Sequence, residues 1–239
     1  MNIIDLAAIL LLALFVVIGV YRGFLRSMAT VCIFVVAFVF AAVFTGPMVR
    51  QAYRKTELYE AINYYTEGDQ LLASAGTGIA QSPVDSFRRD ELVRILAATT
   101  LPVPVQQAVV RNAVGQRKSG LGITSLAEYV DATLTENVLG VGSFIILFVS
   151  CVVVLQVGLA MYNALRPLPV LKKHDSLLGG LCGVLFGLMA VMAVFCVLPV
   201  VQSVLPVQEF GVMMNKSRVG MIIQEVNFML STTLRTFIT

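Results

Sequence analysis

Two continuous apolar runs, 3–20 and 27–44, flank the stretch Gly19-Val20-Tyr21-Arg22-Gly23-Phe24-Leu25-Arg26. Each run is near the short end of the roughly 17–25 residues that a membrane-spanning helix needs. Two such runs joined by a short basic turn read as a helical hairpin in a bilayer. Lipid offers no hydrogen bonds to the backbone, so unbroken apolar runs have to be helices. They do not alternate, which excludes strands of a membrane barrel. Two further runs, 139–162 and 177–201, are comfortably long. The chain is 58% apolar and 13% charged, against about 45–50% and about 25% in a soluble domain. One small soluble core could not hide that excess.

The expected fold is therefore all-α: a polytopic membrane protein with four transmembrane helices. A helical insertion outside the cytoplasm separates helices 2 and 3, and an amphipathic helix ends the chain. The expected segments are 1–46, an N-terminal transmembrane hairpin; 47–138, the extracytoplasmic insertion; 139–202, a second hairpin; and 203–239, the tail.

Orientation follows from the short loops, since cytoplasmic loops carry the excess of Lys and Arg. Arg22 and Arg26 lie in the first, and Arg166, Lys172 and Lys173 in the third. With both loops cytoplasmic, both termini lie outside. The insertion's nine Lys/Arg and ten acids leave it near neutral, and long loops are largely exempt from the rule. No basic residue precedes the first run, and no small-residue cleavage site follows it, so that run is expected to stay as an anchor.

The insertion is expected to be helical. Ser82-Pro83-Val84-Asp85 has the pattern of a helix start, followed by Leu92, Ile95, Leu96 and Thr99 on one face. Pro102 and Pro104 interrupt. Val105, Ala108 and Val109 form a short amphipathic piece ending near Gly115. After a polar loop at 117–122, Ser125 with Glu128 opens another helix. It carries Leu126, Tyr129, Val130, Thr133 and Leu134 on one face and could continue into the third span. These pieces are read as a cap on the helix ends rather than helices lying in the interface. In the tail, Val219, Ile222, Ile223, Val226, Met229, Leu230, Thr233, Leu234 and Phe237 fall at helical spacing.

Several residues stand out. Asp5, at the mouth of the first span, is read either as a cap facing the positive helix end or as part of an ion path with Gln156 and Asn163, two residues that read first as interhelical hydrogen-bond partners. Arg22 and Arg26 read as topology anchors, or as a site for a partner or an anionic lipid. Gly19 and Gly23 form a G-x-x-x-G pair. Gly179, Gly183 and Gly187 recur every fourth residue in the last run, with Gly180 beside them, a pattern that lets helices approach closely. His174-Asp175 reads as a solvated loop pair, with Asp175 also grouped with Arg22 and Arg26 as a topology or partner residue. Cys32, Cys151, Cys182 and Cys196 all lie in apolar runs without C-x-x-C spacing and read as small buried hydrophobes.

No hydrolase elbow, zinc helix, P-loop or dinucleotide fingerprint occurs. With a single histidine, the expectation is a protein that is not an enzyme and uses no cofactor or metal. A net charge of +3 without a dense basic cluster gives no sign of a nucleic-acid partner. The expected partners are the lipid bilayer and either further copies of the chain or another membrane protein.

Three features together resemble the CvpA family, the colicin V production proteins of bacterial inner membranes. Asp5 follows Ile4 at the start of the first span. Arg22-Gly23-Phe24 with Arg26 closes it like the family's RGF-x-R turn. Asp175 leads into Gly179, Gly183 and Gly187 like its D-x-x-x-G-x-x-x-G pattern. Ser176 stands where the family usually has Arg, and the resemblance, over about 1–46 and 139–202, leaves the insertion aside. It implies a four-helix inner-membrane protein tied to toxin production or export and to envelope tolerance. Some members carry a serine protease domain beyond the fourth helix, for which 203–239 is too short. The leading expectation is a non-enzymatic accessory or scaffold protein, working through the glycine face of helix 4 and the outer cap. The alternative is a small homo-oligomeric transporter or channel.

Overall fold

The computed structural model describes residues 3–53, 78–99, 101–115, 122–165 and 175–204, with 61–62, 71–72, 76 and 217. The helices so defined are α1 (Ile3–Arg22), α2 (Phe24–Tyr53), α3 (Arg89–Ala97), α4 (Val103–Val114), α5 (Leu126–Leu165) and α6 (Asp175–Val204). One 3-10 turn, Val84–Ser86, precedes α3. No strand longer than a single bridge occurs among the described residues. α1, α2, α5 and α6 are long and apolar enough to cross a membrane.

The chain divides into two compact units. The first, the membrane unit, takes α1, α2 as far as Phe44, α5 from Phe144, α6 as far as Phe195, and Ser217. Each helical stretch in it has about 20 residues, or about 30 Å at 1.5 Å per residue, the thickness of a bilayer's hydrocarbon. The second unit runs from Thr45 to Ser143 and resumes at Cys196.

The membrane unit is held by aromatic edges. Phe15 of α1 meets Phe186 of α6 edge-on, with ring centroids 4.5 Å apart. Phe186 meets Phe34 of α2 at 4.4 Å, and Phe34 meets Phe148 of α5 at 5.3 Å. One row of four rings thus ties all four spans together. Phe38 and Phe144 add a second α2–α5 contact at 5.8 Å, beside the fully buried Ala37 and Ala41. In lipid, where apolar burial between helices gives little drive, such edge-to-face pairs and close packing carry the association.

In the second unit, α3, α4 and the first turns of α5 close on a core of Leu92, Leu96, Val105, Val109, Leu126, Tyr129, Val130 and Leu134. The one-face spacings expected for α3, α4 and α5 are the faces that are buried. The capping box at α5 is formed: Glu128 accepts hydrogen bonds from the Thr124 and Ser125 backbone N–H groups at 3.0 and 3.2 Å, while the Glu128 N–H reaches Ser125 Oγ at 3.3 Å.

Three expectations need correction. The helix proposed to start at Ser82-Pro83-Val84-Asp85 starts at Arg89 instead. The backbone of 80–84 is engaged elsewhere: the Val84 N–H donates to Thr124 O, and Ser82 O and Ala80 O accept from the Leu126 and Ala127 N–H groups. Glu91 then caps α3 by accepting the Arg88 N–H at 2.9 Å. α2 also runs past the end of its apolar run, through Pro47 to Tyr53. A proline inside a helix removes one backbone bond and kinks or strains the turn, and here the helix passes it. Pro104 does not break α4 but lies in its first turn, where a missing N–H costs nothing. The amphipathic tail helix lies outside the described residues, as do Arg166, Lys172, Lys173 and His174.

A candidate functional site at the turn of the first hairpin

The turn between α1 and α2 is built on glycine. Gly23 has φ +76°, a left-handed conformation that costs an L-residue about 1–2 kcal/mol. Its own N–H still donates to Gly19 O, and its carbonyl accepts from the Ser27 N–H, both at 3.1 Å. The change of hand releases the next amide, Phe24 N–H, from the helical ladder. That N–H donates to Asp175 Oδ1 at 2.9 Å, 151 residues away in sequence. Asp175 is the first residue of α6. One carboxylate therefore stands at the N-termini of two helices, where both partial positive ends favour an anion. A Cβ on Gly23 would collide with the same carboxylate, lying 2.9 Å from its carbon.

Below the turn, α1 and α6 touch backbone to backbone. A Cβ on Gly19 would meet the Gly179 carbonyl oxygen and lie 2.9 Å from Gly183 Cα. One on Gly179 would meet the Gly19 carbonyl oxygen. One on Gly183 would lie 2.5 Å from the Phe15 carbonyl oxygen and 2.9 Å from Val16 Cα. Gly187 is looser, at 3.2 Å from Phe15 Cβ. The glycine face of α6 is thus filled by α1 of the same chain, and it is not open to another protein. The Ser27 hydroxyl, buried in this contact, donates to Gly19 O at 3.3 Å, and the Thr30 hydroxyl donates to Arg26 O at 3.0 Å.

Asp5 is 5% exposed. Its Oδ1 accepts a hydrogen bond from the hydroxyl of the fully buried Ser217 at 2.5 Å. It is therefore a buried group in the first turns of α1, joined to a residue well beyond the fourth span. Gln156 lies half-buried on α5, and Asn163 falls in the last turns of that helix with its side chain outside the described residues. Arg22 and Arg26 are exposed. Cys182 and Cys196 are buried, Cys151 is half-buried and Cys32 is exposed, all as free thiols. That corrects the expectation for Cys32, which faces outward from its helix. No group of His, Cys, Asp or Glu suited to a metal occurs among the described residues.

Sequence reasoning missed the ring row, Ser217, and a buried polar strip on α5. There the Asn112 amide donates to Thr133 Oγ1 at 3.2 Å, and Glu136 and Asn137 lie one turn on, 1% and 3% exposed. The signal for the strip was present: Thr133, Glu136 and Asn137 fall at i, i+3 and i+4, which is one face of a helix.

The arrangement fixes helices relative to one another. Its hydrogen bonds run to backbone groups and hydroxyls. Neither curated proteins nor solved structures give a match. The second hairpin, with Asp175, lies outside the one family match found. That match covers residues 4–77, which hold α1 from Ile4 onward, the Gly23 turn and all of α2, and over them the chain is similar to the family described as Colicin V production protein.

Proposed function

We propose that the protein is a non-enzymatic accessory or scaffold of the bacterial inner membrane. It would act in the production or export of a colicin V-type toxin and in envelope homeostasis, with another membrane protein as partner and both termini outside the cytoplasm. The observation that supports this reading most is the use of the polar groups in the membrane unit. Asp175, Ser27 and Thr30 each bond backbone that the hairpin needs closed. A carrier keeps such groups facing a path; here they hold the frame. The glycine face is occupied within the chain, so the partner surface belongs on the second unit or on the outer sides of the spans.

The test is toxin secretion from cells lacking the chain, restored by wild-type protein or by Gly183→Leu. Leu at 183 would push α1 off α6, so secretion and partner retention should fall together while insertion persists. Secretion that is the same with and without the chain overturns the proposal. A transporter is the second reading, favoured by the burial of Asp5 inside the first span. It requires that Asp5→Asn change solute or proton flux in liposomes.

A further inference from the structure

Arg22 and Arg26 take no part in the packing described above. Arg22 ends α1, and Arg26 lies in the first turn of α2. Neither guanidinium has a hydrogen bond or ion pair among the described residues. The Asp175 carboxylate at the turn faces Phe24 N–H and Gly23. Two cations therefore stand exposed, with no ion pair among the described residues, where α1 has completed its 20 residues. At 1.5 Å per residue that is about 30 Å, the depth of the hydrocarbon, so the guanidiniums reach the headgroup layer.

The surface leading to them is apolar. Leu14, Val17 and Tyr21 follow at i, i+3 and i+7, one face of α1, with 54%, 51% and 86% of their surfaces exposed. Met28 of α2 is also exposed, at 43%. An acyl chain would lie along this stripe, and the tyrosine at its end has the amphipathic ring that favours the interface. Guanidinium forks match phosphate oxygens in pairs.

We propose that Arg22 and Arg26 bind the phosphodiester headgroup of an anionic phospholipid, whose tail rests on the Leu14–Val17–Tyr21 stripe. The combination of paired cations and contiguous apolar surface selects a lipid over a phosphate free in solution, which would need only the cations.

The full chain is reconstituted in phosphatidylcholine vesicles containing a trace of spin-labelled phosphatidylglycerol or spin-labelled phosphatidylcholine. The fraction of motionally restricted label gives the relative association. Wild type is expected to prefer the anionic lipid, and the preference should fall on raising salt. Arg22→Gln and Arg26→Gln, made singly so that one charge remains to direct insertion, should each weaken it by about fivefold. The exposed pair Arg89 and Arg94 of α3 is the control, and its double glutamine variant should match wild type. Added inorganic phosphate should not displace the label. The proposal is overturned by equal association of both lipids with wild type, by glutamine variants that keep the full preference, by an equal loss in the α3 control, or by displacement with phosphate.

Discussion

Replacing Gly183 by Ala adds one methyl group where α1 and α6 meet backbone to backbone. The new Cβ would lie 2.5 Å from the Phe15 carbonyl oxygen and 2.9 Å from Val16 Cα. Ordinary contact begins near 3.4 Å, so α1 must retreat by about 0.9 Å. Both obstacles are backbone, and no side chain can swing aside. A gap of that size removes roughly a quarter to a half of each dispersion contact across the seam. It also draws Phe15 away from Phe186. Overpacking of this kind costs about 1–3 kcal/mol. The assay is equilibrium unfolding in mixed micelles, run as a series. Gly187→Ala, with 3.2 Å to the Phe15 Cβ, should lose less than Gly183→Ala. Gly158→Ala, with nothing within 4 Å, should be neutral or gain up to about 1 kcal/mol from helix propensity. Gly183→Ala as stable as Gly158→Ala would refute the backbone-to-backbone reading.

Further outcomes follow from the same structure. Asp175→Ala leaves the Phe24 N–H without its acceptor and should cost about 0.5–2 kcal/mol, as the loss of a cap does; Asp175→Asn, which keeps an oxygen, should lose less in the same assay. Gly23→Ala meets both the positive φ and the Asp175 carboxylate, so its loss should exceed the roughly 1–2 kcal/mol of the backbone alone, and combining it with Asp175→Ala should give less than the sum, which a double-mutant cycle reads directly. Phe34→Leu removes two edge-to-face contacts, each worth about 0.5–1.5 kcal/mol, and a stability equal to wild type would show that the ring row carries nothing. Leu134→Ala empties a fully buried site in the second unit and should cost about 2–5 kcal/mol, seen as faster proteolysis of that unit.

The four spans were legible because an unbroken apolar run has one solution in lipid. The capping box at Ser125 and Glu128 and the buried faces of α3, α4 and α5 were legible because their signals are local. The glycine repeat announced a close helix approach, but spacing cannot name the partner. Which helix fills it depends on Phe15 and Val16 of α1 meeting Gly183, a contact between the first and the last span. The tie from Phe24 to Asp175 spans 151 residues and that from Ser217 to Asp5 spans 212; nothing in local sequence encodes either pairing. Phe15, Phe34, Phe148 and Phe186 were invisible for another reason. Within an apolar run a phenylalanine has no contrast with its neighbours, so periodicity does not mark it. The false helix start at Ser82 shows the opposite failure. Its residues fit a cap, but their backbone groups pair with 124–127, and long-range hydrogen bonds outweighed a local preference.

In the proposed function this chain is a frame for another protein. The most direct test is the native mass of the complex extracted in mild detergent from cells that make it. A frame should be found as the 25.9 kDa chain together with a different protein. A closed ring of copies of this chain alone would contradict it and would point to a pore.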